Sequence, residues 1–278
     1  MIKLSGFADE VSINFDEQLK FLSSINMKQI EIRFVDGENI VHASREKLQL
    51  IRTKLHESGI DVSAIASPIG KIKIDEAFEP HLEMFKRAVE IASFLDTKLI
   101  RVFSYYAPEN GKIDDYRDAV MERMSKKAEI LAGTDLMMAH ENESDVFGYN
   151  ATNCVDIIKT VNSQNLTLVY DPANFVWGSN ITNNVEICWP VMKPYVSHIH
   201  IKDWKLGSND TGSLPGEGDA QIELLIKELA GINYTGFVSL EPHMASGGPF
   251  GGSTTPEQFA AALANIKAFC DKYNLLYN

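Results

Sequence analysis

Acidic residues close β-type runs at several points along this chain, and that pairing of a strand pattern with a terminal charge restricts the fold more than any other feature. Residues 136–141, 166–171 and 237–241 are short runs rich in apolar residues, and they end on Glu141, Asp171 and Glu241. A fourth run, 196–203, alternates apolar and polar residues and carries His198, His200 and Lys202 at every second position. Successive side chains of a strand point to opposite faces, so these three share one face and Ile199 and Ile201 the other. Two imidazoles and an ammonium do not all face a dry core.

The remaining sequence repeats the alternation. Strands are expected at 3–7, 29–33, 61–67, 98–103, 136–141, 166–171, 196–201 and 237–241. Between and after them, apolar residues recur at helical spacing over 15–25, 44–57, 76–95, 114–132, 151–161, 185–192, 220–229 and 256–273. Ser12, Ser44 and Thr255 stand where helix N-caps belong, and Gly59 and Gly133 where helices should stop. No linker rich in Pro, Gly or Ser divides the chain, so residues 1–278 are expected to form one α/β domain, a closed (β/α)8 TIM barrel. An open sheet of as many parallel strands would leave two edges to protect. A doubly wound sheet is the alternative, although Gly6-Phe-Ala-Asp-Glu10 after the first strand lacks the GxGxxG dinucleotide fingerprint.

Composition bounds the function. With 45% hydrophobic and 23% charged residues the chain is globular in character. Its formal net charge of -12 argues against a nucleic-acid partner, because phosphate backbones are bound by Lys and Arg. Three widely spaced cysteines, Cys154, Cys188 and Cys270, indicate neither a disulfide framework nor a zinc knuckle and suit a reducing cytoplasm. No segment reaches the roughly 18 unbroken apolar residues of a membrane span, and the N-terminus has no secretory h-region.

A barrel gives the strand-end residues a common location. Active sites of this fold form at the C-terminal ends of the strands, and Glu141, Asp171, His200 and Glu241 end or nearly end the fifth to eighth. Ala139 shares a face with Glu141, Val169 with Asp171 and Ser239 with Glu241, leaving Leu168, Tyr170, Val238 and Leu240 for the helices. Three converging carboxylates would repel one another or take up protons unless a cation lay between them. The four residues are therefore read as ligands of one divalent metal ion. An oxygen-rich set with one imidazole suits Mn2+ or Mg2+ best and tolerates Co2+ or Zn2+.

His140-Glu-Asn142, Tyr170-Asp-Pro-Ala-Asn174, His198-Ile-His-Ile-Lys-Asp203, Pro215-Gly-Glu-Gly-Asp219 and Leu240-Glu-Pro-His243 resemble segments of the xylose isomerase-like TIM-barrel family of sugar phosphate isomerases and epimerases. Gly6–Glu10, Ile30-Glu-Ile-Arg33 and Ser67-Pro-Ile-Gly-Lys71 extend the likeness towards the N-terminus. The resemblance implies metal ligation by Glu141, Asp171, His200 and Glu241, with Glu141 and Glu241 also acting as acid and base. It also implies a small sugar or sugar-derived substrate and, in many members, a homo-oligomer. The chain departs from the ketose 3-epimerase branch in having Asn174 where a His is usual and Lys202 and Lys205 where an Arg follows the paired histidines.

Substrate contacts are expected from Asn142, Asn174, Lys202, Glu217, His243 and Lys71, each on a strand end or top loop. Solvated or capping roles are the plain alternative for each. Glu31 and Arg33 either enter the barrel mouth or form an internal salt bridge. His140 has the wrong parity for the mouth, and Trp177, Trp204, Tyr105 and Phe147 either wall the site or pack the core. The favoured activity is isomerisation or epimerisation of a small sugar or keto-polyol through an enediolate. Dehydration of a keto-polyol or dehydroshikimate-like acid is the alternative on the same ligand set. An endonuclease IV-like phosphodiesterase would need histidines at the third and fourth strand ends, where Ser67, Phe103 and Ser104 stand. A sugar-binding protein without turnover completes the set.

Overall fold

A computed structural model describes residues 1–208, 211–245 and 252–278. Eight strands form one parallel sheet: β1 (Lys3–Gly6), β2 (Gln29–Ile32), β3 (Asp61–Ala66), β4 (Leu99–Val102), β5 (Met137–Glu141), β6 (Leu166–Tyr170), β7 (Val196–Ile201) and β8 (Phe237–Leu240). Each pairs in parallel with its sequence neighbour from β2 to β8, and β8 pairs in turn with β1. β1 packs beside β2 and closes the ring into a TIM barrel, as expected. A small hairpin, Phe34–Val35 with Glu38–Asn39, follows β2.

The helices run as α1 (Phe15–Ser24), α2 (Arg45–Ser58), α3 (Phe78–Phe94), α4 (Arg117–Leu131), α5 (Ala151–Val161), α6 (Pro172–Ser179), α7 (Ile222–Gly231) and α8 (Pro256–Lys272). Their ends follow the sequence signals in most cases. Ser44 caps α2, Thr255 closes a full capping box with Gln258 on α8, and Gly59 ends α2 at φ +61. Two expectations are corrected. Asn14 rather than Ser12 caps α1, because Ser12 Oγ instead accepts from the Asn14 N–H and bonds Glu17. The helix expected over 185–192 is two single turns, Asn184–Ile187 and Trp189–Met192, since Pro190 has no N–H with which to continue a ladder.

Parity sorts the strand residues as the sequence indicates. Leu168, Tyr170, Val238 and Leu240 belong to the large core shared with the helices. Ala64, Leu99, Ala139 and Val169 form a separate small core inside the ring, flanked by Met137 and Phe237. The interior also carries polar groups, with Ser5 and Ser63 joined at 2.7 Å and His200 in register with Ser239. Register slips by one residue at Ile30/Glu31 and at Leu168/Val169, bulges of the kind that re-aim side chains beside active sites. No described helix is long and apolar enough to cross a membrane.

Candidate metal and active site

The four strand-end residues meet at the mouth. One ligand atom from each of Glu141, Asp171, His200 and Glu241 can be chosen so that all lie within 4.8 Å of one another, and all four residues are buried. His200 Nδ1 faces this cluster, 3.0 Å from Glu141 Oε1 and 3.8 Å from Glu241 Oε2. Its Nε2 lies 3.1 Å from Glu31 Oε1, and the other oxygen of Glu31 is 2.7 Å from His198 Nε2. Glu31 therefore bridges both histidines from the far side of the barrel and sets the rotation of the His200 ring. A carboxylate behind a ligating imidazole is the usual outer support of a metal site.

Asp171 divides its carboxylate between two tasks. Oδ1 accepts the N–H groups of Ala173 and Asn174 at 2.9 and 3.1 Å and so caps α6. Oδ2 is buried without a hydrogen bond, 3.0 Å from Lys202 Nζ. A buried oxygen left in this state, beside two glutamates and an imidazole nitrogen, matches a hard divalent cation. Glu141, Asp171, His200 and Glu241 would hold that ion.

Cations of the protein already brace these carboxylates. Arg33 donates from Nε to Asp9 and from Nη1 to Glu241, both at 2.7 Å. Arg101 donates to Glu141 at 3.0 Å, and Lys202 stands 3.6 Å from Glu241. Burial alone would raise the pKa values of both glutamates, but charged neighbours prevail. His200 and Arg101 bring Glu141 down to about 2, and Lys202, His243 and Arg33 hold Glu241 well below the usual range. For Asp171 burial wins over Lys202, and its pKa is pushed up to about 6. His200 is raised well above an ordinary histidine by Glu141 and Glu31 against the effect of burial.

The other expected site residues separate into two groups. Lys71, Asn174, Lys202 and His243 line a cavity of about 510 Å³ over the cluster, and Trp177 and Trp204 form part of its wall. His243 Nε2 lies 3.1 Å from Glu10 and 3.4 Å from Glu241, and Asn174 donates to Glu141 at 3.3 Å. Glu217 is a correction: it is exposed on the loop before α7 and is not part of the cavity wall. That loop is organised by Asp203, whose carboxylate accepts the N–H groups of Gly216, Gly218 and Ala220. Asn142 uses its amide on the Asp171 backbone, donating to O at 2.8 Å and accepting from N at 2.9 Å, which clamps β5 to β6. Tyr105 and Phe147 are buried in the core, and His140 is buried on the helix side with both ring nitrogens unbonded.

Asp9, Glu10 and Arg101 join the site with little signal in the sequence. Arg101 left a trace, a guanidinium within the apolar run 99–103. Asp9 and Glu10 sit on a single turn, Ala8–Glu10, where no periodicity marks a direction.

A parallel eight-stranded barrel with a carboxylate-rich cluster at the C-terminal strand ends defines a class of TIM-barrel proteins with a potential metal centre. The chain belongs to the xylose isomerase-like TIM barrel family, whose sequence model matches residues 19–272. Among solved structures, a D-tagatose 3-epimerase-like protein superposes with a TM-score of 0.78 at 17% identity, covering 98% of each chain. A probable 3-DHS dehydratase involved in petrobactin synthesis from Bacillus anthracis gives 0.74 at 17% identity, over 96% of this chain and 98% of the other. A xylose isomerase-like TIM barrel protein from Mycobacterium smegmatis in complex with magnesium gives 0.75 at 16% identity, over 98% and 97%. At such identities the likeness speaks for the fold alone. No curated protein matches the chain by sequence.

Proposed function

We propose that the protein is a divalent-metal-dependent isomerase or epimerase of a small sugar or keto-polyol. The observation that carries this reading is the convergence of Glu141, Asp171, His200 and Glu241 beneath a cavity large enough for such a substrate. Mn2+ or Mg2+ is the favoured ion, with Co2+ or Zn2+ also compatible with the donors, and a solved neighbour is described as a magnesium complex. Bound there, the ion would supply Lewis-acid stabilisation of an enediolate.

Glu141 and Glu241 then act as the proton-transfer pair. Their carboxylates rise from β5 and from the end of β8, with Asp171 and His200 on the two strands between. Charged neighbours keep both ionised at neutral pH, as a base must be. One would remove a proton bound to carbon and the other return one, to the opposite face for epimerisation or to the adjacent carbon for isomerisation. His243 and Asn174 hydrogen-bond or flank these glutamates and would orient them while meeting substrate hydroxyls.

Lys202 supports a second reading. Its buried ammonium, beside Asp171 and Glu241, can donate to a departing hydroxyl after the same proton abstraction, which is dehydration. One solved neighbour is described as a probable dehydratase.

Deuterium incorporation from D2O into a panel of keto-sugars, with added Mn2+, tests the proposal. Exchange is expected to require the ion and to fall by about 10²-fold or more in Glu241→Gln. Exchange that persists without metal, or in the variant, refutes it. Growth of a conjugated enone absorbance during the same incubation would select dehydration.

A further inference from the structure

A second set of buried polar groups lies on the helix side of β4 and β5, and the reaction proposed at the mouth uses none of it. His81 on α3, Arg123 and Lys127 on α4, Tyr105 after β4 and His140 on β5 gather there. The Tyr105 ring is their centre, with its centroid 4.9 Å from Lys127 Nζ, 5.2 Å from the Arg123 guanidinium carbon and 6.0 Å from the His81 ring. Lys127 also acts electrostatically on both histidines.

Most of these groups lack a partner. Lys127 Nζ, Arg123 Nη1, the Tyr105 hydroxyl and both ring nitrogens of His140 are buried with no hydrogen-bond partner among the described residues. Arg123 uses its other terminal nitrogen on the Glu76 carbonyl at 2.8 Å, and His81 Nε2 accepts the Gly70 N–H at 2.7 Å. Accepting there makes His81 neutral, and in either tautomer of His140 one nitrogen is an N–H donor. Orphaned buried donors are rare in folded proteins, and several in one place call for a shared acceptor.

Charge decides which acceptor fits. Arg123 keeps its proton at any physiological pH. It adds a like charge to the effect of burial on Lys127, and no carboxylate among the described residues offsets the two. A water molecule would satisfy donors but leave the positive charge unanswered in a surrounding of low dielectric, whereas a small anion does both. We propose that Lys127, Arg123, Tyr105 and His140 hold a small monovalent inorganic anion of the halide class between α4 and the outer face of β4 and β5. Since β4 and β5 carry Arg101 and Glu141, the ion would tie the back of two site-bearing strands to α4.

The test uses full-length, Mg2+-loaded protein at pH 6, moved from sodium methanesulfonate to sodium chloride at constant ionic strength. Line broadening of the chloride NMR signal reads the ion directly, and thermal unfolding reads its effect on the fold. The wild type is expected to broaden the signal saturably and to gain about 2 °C or more in Tm on transfer. Both responses are expected to vanish in Lys127→Met, although that variant should be the more stable chain in methanesulfonate. Tyr105→Phe keeps the ring and removes one donor, and chloride affinity is expected to fall about tenfold. Absence of saturable broadening in the wild type overturns the inference and assigns water to the cluster. A chloride response undiminished in Lys127→Met overturns it as well, by placing the ion elsewhere. Either failure leaves the metal-dependent reading of the mouth intact.

Discussion

The floor and the mouth of the barrel are built from the same strands, two residues apart, and they have opposite chemistry. Leu99, Ala139 and Val169 pack in a dry cluster, while Arg101, Glu141 and Asp171, the next inward positions on β4, β5 and β6, carry charge. Strand parity decides which residues point inward, and height along the strand decides whether they meet a neighbour's side chain or the cavity. Small and branched residues fill the ring beneath the site, and Glu31, just past a one-residue register slip, reaches across to both histidines.

The comparison is sharpened by substitutions on either side of the boundary. Leu99→Ala on the floor is expected to lower stability by about 2–5 kcal/mol by opening a cavity, with proton exchange per folded molecule nearly unchanged. Urea denaturation paired with the exchange assay reads both, and lost exchange in a stably folded variant would erase the distinction between the two layers.

Glu31→Gln at the boundary should do the opposite. It keeps the shape but removes the charge that orients His200, and metal affinity is expected to fall about 10- to 100-fold. Isothermal titration with Mn2+ measures this, and an unaltered affinity would show that Glu31 serves only the fold.

Buried cations extend the contrast beyond the ring. Lys202 in the mouth has Asp171, whereas Lys127 on α4 is fully buried with no hydrogen-bond partner, 4.9 Å from the Tyr105 ring centroid. Burial, reinforced by Arg123, lowers the Lys127 pKa to about 7. Because the folded value lies below the unfolded one, this lysine costs stability in full at pH below 7, and the cost fades as pH rises towards 10. Lys127→Met is expected to stabilise the protein by about 1–3 kcal/mol at pH 6 and by progressively less at higher pH. A gain independent of pH, followed by denaturation from pH 6 to 10, would show that the lysine is charged and partnered in the fold.

Much of this arrangement was legible from residue patterns. The eight strands needed only apolar runs and turn signals, and the four candidate ligands stood out together because they close consecutive β-type runs, although each alone could be a cap or an ion-pair partner, as Asp171 and Glu241 in part are. The sequence allows Glu31 and Arg33 either a mouth position or an internal salt bridge; Arg33 has both, since it pairs with Asp9 and Glu241 and lines the cavity. What escaped depends on tertiary placement. α6 lacks the length and apolar spacing of a helix and forms because Asp171 caps it behind Pro172. Asp9 and Glu10 become part of the site only because the turn after β1 faces Arg33 and His243. Glu217 sits in a segment similar to those of the family, yet the grip of Asp203 on the neighbouring N–H groups leaves it facing solvent.

Counting bound Mn2+ by electron paramagnetic resonance reaches the central claim most directly. One tightly held ion per chain is expected in the wild type, with loss of that ion in Asp171→Asn and in His200→Ala while the circular dichroism of the barrel is retained. Full occupancy in both folded variants, or none in the wild type, would mean that these four side chains do not form a metal centre.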